Sequence, residues 1–399
     1  MIPRALRVPL VALAALLALA APAAAAPPSD LSRDPLDRAA LLALPSVYRL
    51  EVTIHVPWLR QRDGTRIRVR GDARTVVETG TAFGVAPGGW LATAGHVAAP
   101  DPEDVAALAY QRMQAFAQQP HGNADVAGWV ERTGARAVGH RVVSIVATQA
   151  DAGEGARGSR SYPALQVEAT DAADLALVRI GAETAPALEL DEAASIGTPI
   201  LSVGFGRGSS LAPHAAPVSE LEATPRRGRL NRSGTLQRGT PPRQVIVVTI
   251  PVQAGDSGAP VVDAEGNVRG VVIQRLAAGG GIAEKATELR QLMEEQGIEP
   301  GAGTAAEEFR TGMESLWRLD PSAAGTSFES ALAAFPDHTL AGRERARAAA
   351  LQTAGFDLGG DRSRGLLLGL GVVASLVALA FAAALLLGGR RGGPPPSGR

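Results

Sequence analysis

Cysteine is absent from this 399-residue chain. That excludes disulfide staples, thiolate metal sites and a cysteine nucleophile. Aromatic residues are scarce at 4%, so any core leans on Ala, Val and Leu. Lysine is nearly missing: Lys285 is the single one among 39 basic residues, a bias that reads as genomic composition. A net charge is lacking too, since 40 acidic residues leave a balance of −1. No global basic footprint invites a nucleic-acid partner. His55, His121, His140, His214 and His338 are scattered without metal-ligand spacing, so no metal site is expected. What is present is enough to fold: 46% hydrophobic against 20% charged residues is not the composition of a disordered chain. The length suits about two domains.

Both ends carry apolar runs. Residues 1–26 read as a signal peptide, with Arg4 and Arg7 ahead of the apolar stretch 8–20 and Ala23-Ala24-Ala25 offering a cleavage site. Residues 366–387 hold no charge and as a helix reach ~33 Å, enough for the ~30 Å hydrocarbon core. The sequence thus predicts one transmembrane helix over 366–388. Arg390-Arg391 follow it, which places the tail 389–399 in the cytoplasm and the body outside the cytoplasmic membrane.

Between the ends, residues 30–45 predict a short helix. The run 47–56 alternates apolar and polar residues, the period of a half-buried strand, and 66–70 does the same. Ala86-Pro87-Gly88-Gly89 reads as a hairpin turn between strands at 81–85 and 90–93. Further short strands are expected at 141–147, 175–180, 199–204, 244–250, 259–262 and 268–273. Helices are expected at 103–119 and at 283–296, and the Trp129 segment fills out the insertion after His96. Residues 226–243 hold six arginines and no acid; they read as a solvated loop, with an anionic ligand as the alternative. After a Gly-rich linker, 305–350 is helical, broken at Asp320-Pro321 and Phe335-Pro336. Gly312, Ala324, Phe328, Ala331 and Pro336 have the spacing of one tetratricopeptide-like repeat. One repeat cannot bury its own face, so the segment 304–352 is expected to dock on the preceding domain or on a protein partner, with a plain helical stalk as the alternative. Residues 353–365 form a linker.

Three strings carry chemistry, in the order His, Asp, Ser. Thr93-Ala94-Gly95-His96 ends a predicted strand, Asp174-Leu175-Ala176-Leu177 opens one, and Gly255-Asp256-Ser257-Gly258 lies between two. A serine hydroxyl needs a base within hydrogen-bond reach. A histidine serves when a carboxylate holds its tautomer and orientation. Glycines beside Ser257 allow a sharp turn that directs the Gly255 and Ser257 N–H groups at a developing oxyanion.

With these strings the chain resembles the chymotrypsin-like (trypsin-like) serine proteases over about 46–296, nearest their HtrA-like bacterial branch but without a PDZ domain. Gly80-Thr81-Ala82-Phe83 and Gly255-Asp256-Ser257-Gly258-Ala259-Pro260 also match that pattern. The resemblance implies a mostly β fold: two six-stranded antiparallel β-barrels with a helical insertion after His96, here read over 30–300. A small α-helical segment and the transmembrane helix follow. It implies His96 as base, Asp174 as its orienter, Ser257 as nucleophile, a polypeptide substrate and no cofactor. Pro251 and Val252 on one side, and Ile273, Gln274 and Arg275 on the other, are expected to wall the specificity pocket. Residues 251–254 hold no acid, so cleavage after small or medium apolar residues is expected. The alternative is a catalytically silent peptide-binding or scaffold protein of the same fold.

Overall fold

Contacts divide the chain into 1–32 and 33–399; every feature below lies in the second unit. The computed structural model describes residues 32–116, 123–149, 160–170, 173–193, 195–206, 223–236 and 242–356. The predicted signal peptide and the 366–388 helix lie outside them. Among the described residues no helix is long and apolar enough to cross a membrane.

Helix α1 (Pro35–Ala43) starts where the Asp34 carboxylate accepts the Leu36 N–H at 2.8 Å, with proline in the first turn. The first barrel then forms from β1 (Val47–His55), β4 (Thr75–Ala86), β5 (Trp90–Ala94), β9 (Leu175–Ile180), β8 (Ser161–Thr170) and β7 (Arg141–Gln149), closed in that spatial order. Alternation along β1 puts Tyr48, Leu50, Val52 and Ile54 inside it, all fully buried. A small outer sheet joins β2 (Trp58–Arg60), β3 (Arg66–Arg68) and β6 (Arg136–Val138). The predicted 66–70 strand belongs to this sheet, not to a barrel. After β5 comes a single turn, α2 (Gly95–Ala98), then α3 (Pro102–Phe116) and α4 (Asn123–Thr133). Helix α3 is the expected helical insertion at 103–119, and the Trp129 segment, for which the sequence suggested no element, is the helix α4. Tyr110 and Trp129 join the two helices by parallel ring stacking at 3.9 Å.

The second barrel closes in the order β10 (Pro199–Gly204), β11 (Thr224–Leu236), β12 (Arg243–Val248), β15 (Gly281–Lys285), β14 (Val268–Arg275) and β13 (Pro260–Val262). Its interior holds Ile200, Leu230, Ile246, Val261 and Val272. The outward faces of β1, β4, β5 and β9 meet those of the second barrel in another cluster: Val47, Phe83, Leu175 and Leu177 pack with Leu201, Val203, Val262 and Val271. Strands at this junction are buried on both sides, which is why β9 reads as a near-continuous apolar run.

Two expectations are corrected here. Residues 281–285 form β15, and the helix α5 (Ala286–Glu295) begins only after it. The short Gly-Ile-Ala run gave no period by which to tell strand from helix. The arginine-rich 226–243 stretch is largely a strand rather than a loop over its described residues, and four of its cations are engaged. Arg226 pairs with Asp256, Arg227 with Asp34 and Asp37, and Arg243 with Glu284, while Arg229 donates to the Gly197 carbonyl.

Beyond α5, helices α6 (Gly303–Trp317), α7 (Pro321–Ala334) and α8 (Thr339–Thr353) pack around Phe309, Met313, Leu316, Ala324, Phe328 and Ala331. Gly312 permits this: a Cβ there would stand 2.5 Å from the Phe328 ring. The three helices dock on the barrels. Tyr162 donates to Asp337 at 3.1 Å, Arg160 pairs with Asp337 at 2.9 Å, and Arg310 donates to the Glu265 carbonyl at 2.7 Å.

Candidate active site

His96 sits on the α2 turn, at the end of β5, beside the first residues of β9. Asp174, immediately before β9, receives the His96 backbone N–H on Oδ1 and lies 2.8 Å from His96 Nδ1 through Oδ2. Gly95 makes room for this, since a Cβ there would lie 3.0 Å from Asp174 Oδ1. Both side chains are mostly enclosed, 31% and 22% exposed. Burial pulls the His96 pKa down, but the Asp174 hydrogen bond and charge outweigh it, and the net direction is up. Burial opposes ionisation of Asp174; the His96 contacts outweigh it, helped by the Arg243 charge, and its pKa falls.

Ser257 lies on the turn between β12 and β13. The Ser257 carbonyl accepts the Thr81 N–H at 2.8 Å. A Cβ on Gly80 would stand 2.7 Å from the Val97 side chain and 2.9 Å from the Ser257 carbonyl. Gly80 thus separates Ser257 from the residue that follows His96. Gly258, at φ +86°, fits where a side chain would strike the Thr81 carbonyl. Among the described residues the Ser257 hydroxyl makes no hydrogen bond, to His96 or otherwise. The structure therefore joins His96 to Asp174 and leaves Ser257 nearby but unbonded, an arrangement common before substrate binds.

Alternate N–H groups of the turn have different employment. Asp256 N–H donates to the Gln253 carbonyl at 3.1 Å and Gly258 N–H to the Val272 carbonyl at 2.7 Å. Those of Gly255 and Ser257 have no partner among the described residues, which leaves both available to an anionic oxygen. Gly255 has φ +97° and its carbonyl is held by the Thr81 hydroxyl at 2.8 Å. Between them, the Asp256 carboxylate turns inward to Arg226 at 2.7 Å, the two side chains 3% and 10% exposed. It also accepts the Gln253 N–H at 2.8 Å. In the sequence Arg226 stood only as one arginine of the 226–243 run; its place beneath the turn comes from β11.

A cleft of about 810 Å³ opens beside the pair, lined by His96, Asp101, Glu103, Asp104, Asp174, Arg243, Ile273 and Gln274 among others. Ile273 and Gln274, expected in the pocket wall, are on it. Val252 is buried, and its side chain fills the space in which a Gly281 Cβ would lie. Pro251 and Arg275 stand exposed. Beneath Asp174 lies a residue the sequence reading missed: Glu284, 0% exposed, paired with Arg243 at 3.0 Å.

Two closed six-stranded barrels, with a His–carboxylate pair on one and a Gly-Asp-Ser-Gly turn on the other, define the class of the chymotrypsin-like folds. Residues 80–271 match the family model of the trypsin-like peptidase domain. The chain carries such a domain, the domain of serine endopeptidases. Among curated proteins none matches. Similar solved structures include the Rv3671c protease from M. tuberculosis in its active form, at 17% identity and a TM-score of 0.42, over 68% of this chain and 91% of that one. The HtrA-type protease AlgW with a tripeptide is similar at 19% and 0.41, over 66% and 64%. The serine endoprotease from Yersinia pestis is similar at 16% and 0.39, over 65% of each chain.

Proposed function

We propose that the chain is a membrane-anchored, extracytoplasmic serine endopeptidase that works through Ser257, His96 and Asp174. The observation that carries this reading is the His96–Asp174 contact at 2.8 Å, with Gly80 packed between Val97 and the Ser257 carbonyl and with Gly255 and Ser257 N–H groups that have no partner among the described residues. With the His96 Nδ1 proton donated to Asp174, Nε2 is the base. Substrate binding brings Nε2 to the Ser257 hydroxyl. Ser257 Oγ attacks the scissile carbonyl while Nε2 takes its proton. The oxyanion forms between the Gly255 and Ser257 N–H groups. Imidazolium then protonates the leaving amine, and water, deprotonated by Nε2, releases the acyl group by the reverse path. No cofactor takes part.

The substrate is an unfolded or extended polypeptide. Val252 fills the space against Gly281, and residues 251–254 supply no acid. A small or medium apolar side chain is therefore favoured there, since a cation held against the 251–254 wall would be desolvated without a partner from that wall. The anchor is the 366–388 run and export is through residues 1–26, both argued from hydropathy and flanking charge. In sequence, helices α6–α8 follow the peptidase domain and precede the 366–388 run.

The test is labelling of the purified full chain with a fluorophosphonate probe, together with hydrolysis of an unfolded protein, for the wild type and Ser257→Ala. The wild type should label and hydrolyse; Ser257→Ala should do neither. Wild-type turnover in Ser257→Ala overturns the assignment of the nucleophile. A wild type that neither labels nor cleaves favours the silent peptide-binding alternative.

A further inference from the structure

We propose that Glu284 and Arg243, both on the second barrel, are positioning residues for Asp174 on the first, and that their ion pair sets the pH range over which His96 acts as a base. The inference rests on the Ser257–His96–Asp174 reading and adds two residues to it.

The geometry is that of a shared carboxylate seat. Glu284, on β15, is completely enclosed. Its Oε1 accepts the Asp174 backbone N–H at 3.4 Å and pairs with Arg243 Nη1 at 3.0 Å. Its Oε2 has no hydrogen-bond partner among the described residues, and neither does Arg243 Nε. Arg243, at the start of β12 and 15% exposed, lines the cleft with His96 and Asp174. An ionised carboxylate enclosed beside a second one is costly unless a cation offsets it, and Arg243 is that cation. Its guanidinium therefore serves two acids at once, one on each barrel.

Asp101 and Glu103 share the cleft with His96. Glu284 is faced by Arg243 from β12, Asp174 from the first barrel and Glu288 from α5. His96 is faced by Asp174, Glu78 and Asp104. Burial pushes the Glu284 carboxyl up to about 7, with the Arg243 charge opposing. It thus changes charge in the range where an imidazole does. When Glu284 is ionised, it neutralises Arg243, and Asp174 exerts its full charge on His96. When Glu284 takes a proton, the Arg243 charge stands uncompensated and disfavours imidazolium. The two titrations are coupled: a proton on Glu284 opposes a proton on His96, so the histidine stays a free base further into acid.

Opposite shifts from the two partners are the signature. Glu284→Gln keeps an acceptor for the Asp174 N–H and fixes the uncharged state. The acid limb of its kcat/KM–pH profile should move down by about 0.5–1 pH unit. Arg243→Gln leaves two acids without their cation, and its limb should move up. Arg243→Lys keeps the charge and should restore a limb close to that of the wild type. Each limb is read on the full chain in detergent, scaled to that variant's own plateau, so a loss of folded protein does not move it. If Glu284→Gln does not fold, the Arg243→Gln and Arg243→Lys pair carries the test. Limbs that superimpose on the wild type in the folded variants overturn the proposal. Ser257→Ala and His96→Ala run in the same assay; if they retain activity, it is the underlying triad that fails.

Discussion

Replacing Arg226 by glutamine should strand a carboxylate one residue away from Ser257. The Asp256 side chain is 3% exposed and Arg226 10%, so water cannot take over the lost contact. Breaking a buried pair by removing one partner costs about 3–5 kcal/mol. The lower part of that range applies, because the Gln253 N–H still reaches Asp256 at 2.8 Å. Against a stability of about 5–15 kcal/mol, the change is large and readable by urea unfolding of the full chain in detergent. Its pH dependence has a defined sign. Burial already raises the Asp256 pKa, with Arg226 opposing; without Arg226 it rises further. A carboxyl whose folded pKa exceeds its unfolded value gives stability below the unfolded value and loses it as pH rises through the folded one. Arg226→Gln should therefore recover stability relative to the wild type as the pH is lowered. Arg226→Gln combined with Asp256→Asn removes the stranded charge and should restore most of the loss at neutral pH. Activity should fall through kcat, since Gly255 and Ser257 flank Asp256 and their N–H groups turn with it. A destabilisation under about 1 kcal/mol, with wild-type kcat, would refute the reasoning.

Other outcomes follow from the same coordinates. Burial pushes the His338 pKa down to about 4, so the unfolded chain binds this proton first. Stability should be lost as pH falls from about 6.5 to 4, by up to about 3 kcal/mol. His338→Asn keeps a cap for the Ala341 N–H and should show a smaller drop in melting temperature between pH 7 and 4.5; identical drops would exclude His338 as a source. A peptide library profiled by mass spectrometry should show cleavage after small or medium apolar residues, and Val252→Ala should admit larger ones. Dominant cleavage after Lys or Arg would show that an acid from elsewhere reaches the pocket. A reporter fused after Arg399 should behave as cytoplasmic; removal of a tag there by protease added to intact cells would overturn the topology.

Much of the first barrel was readable along the chain because alternation is local. The Val47–His55 strand shows its buried face in its own residues. Helices α6–α8 were readable too, since Asp320-Pro321 and Phe335-Pro336 interrupt helical periodicity at short range. Strand β8 had no such signature: its residues are all exposed or half-exposed, so no apolar stripe marks it. Strand β11 is similarly mixed, and its arginines suggested solvent. Two of them, Arg226 and Arg227, instead meet acids 30 or more residues away in sequence: Asp256, Asp34 and Asp37.

The candidate site divides along the same line. The Thr-Ala-Gly-His, Asp-Leu-Ala-Leu and Gly-Asp-Ser-Gly strings by themselves determined which side chains to examine and in what roles, because each role needs a particular residue type in a particular local turn. The 2.8 Å His96–Asp174 contact crosses 78 residues, and only closure of the first barrel brings it about. Arg226 beneath the Ser257 turn and Glu284 beneath Asp174 were decided by tertiary structure alone. Burial is what gives these charges their effect, and burial depends on which strands the two barrels bring together.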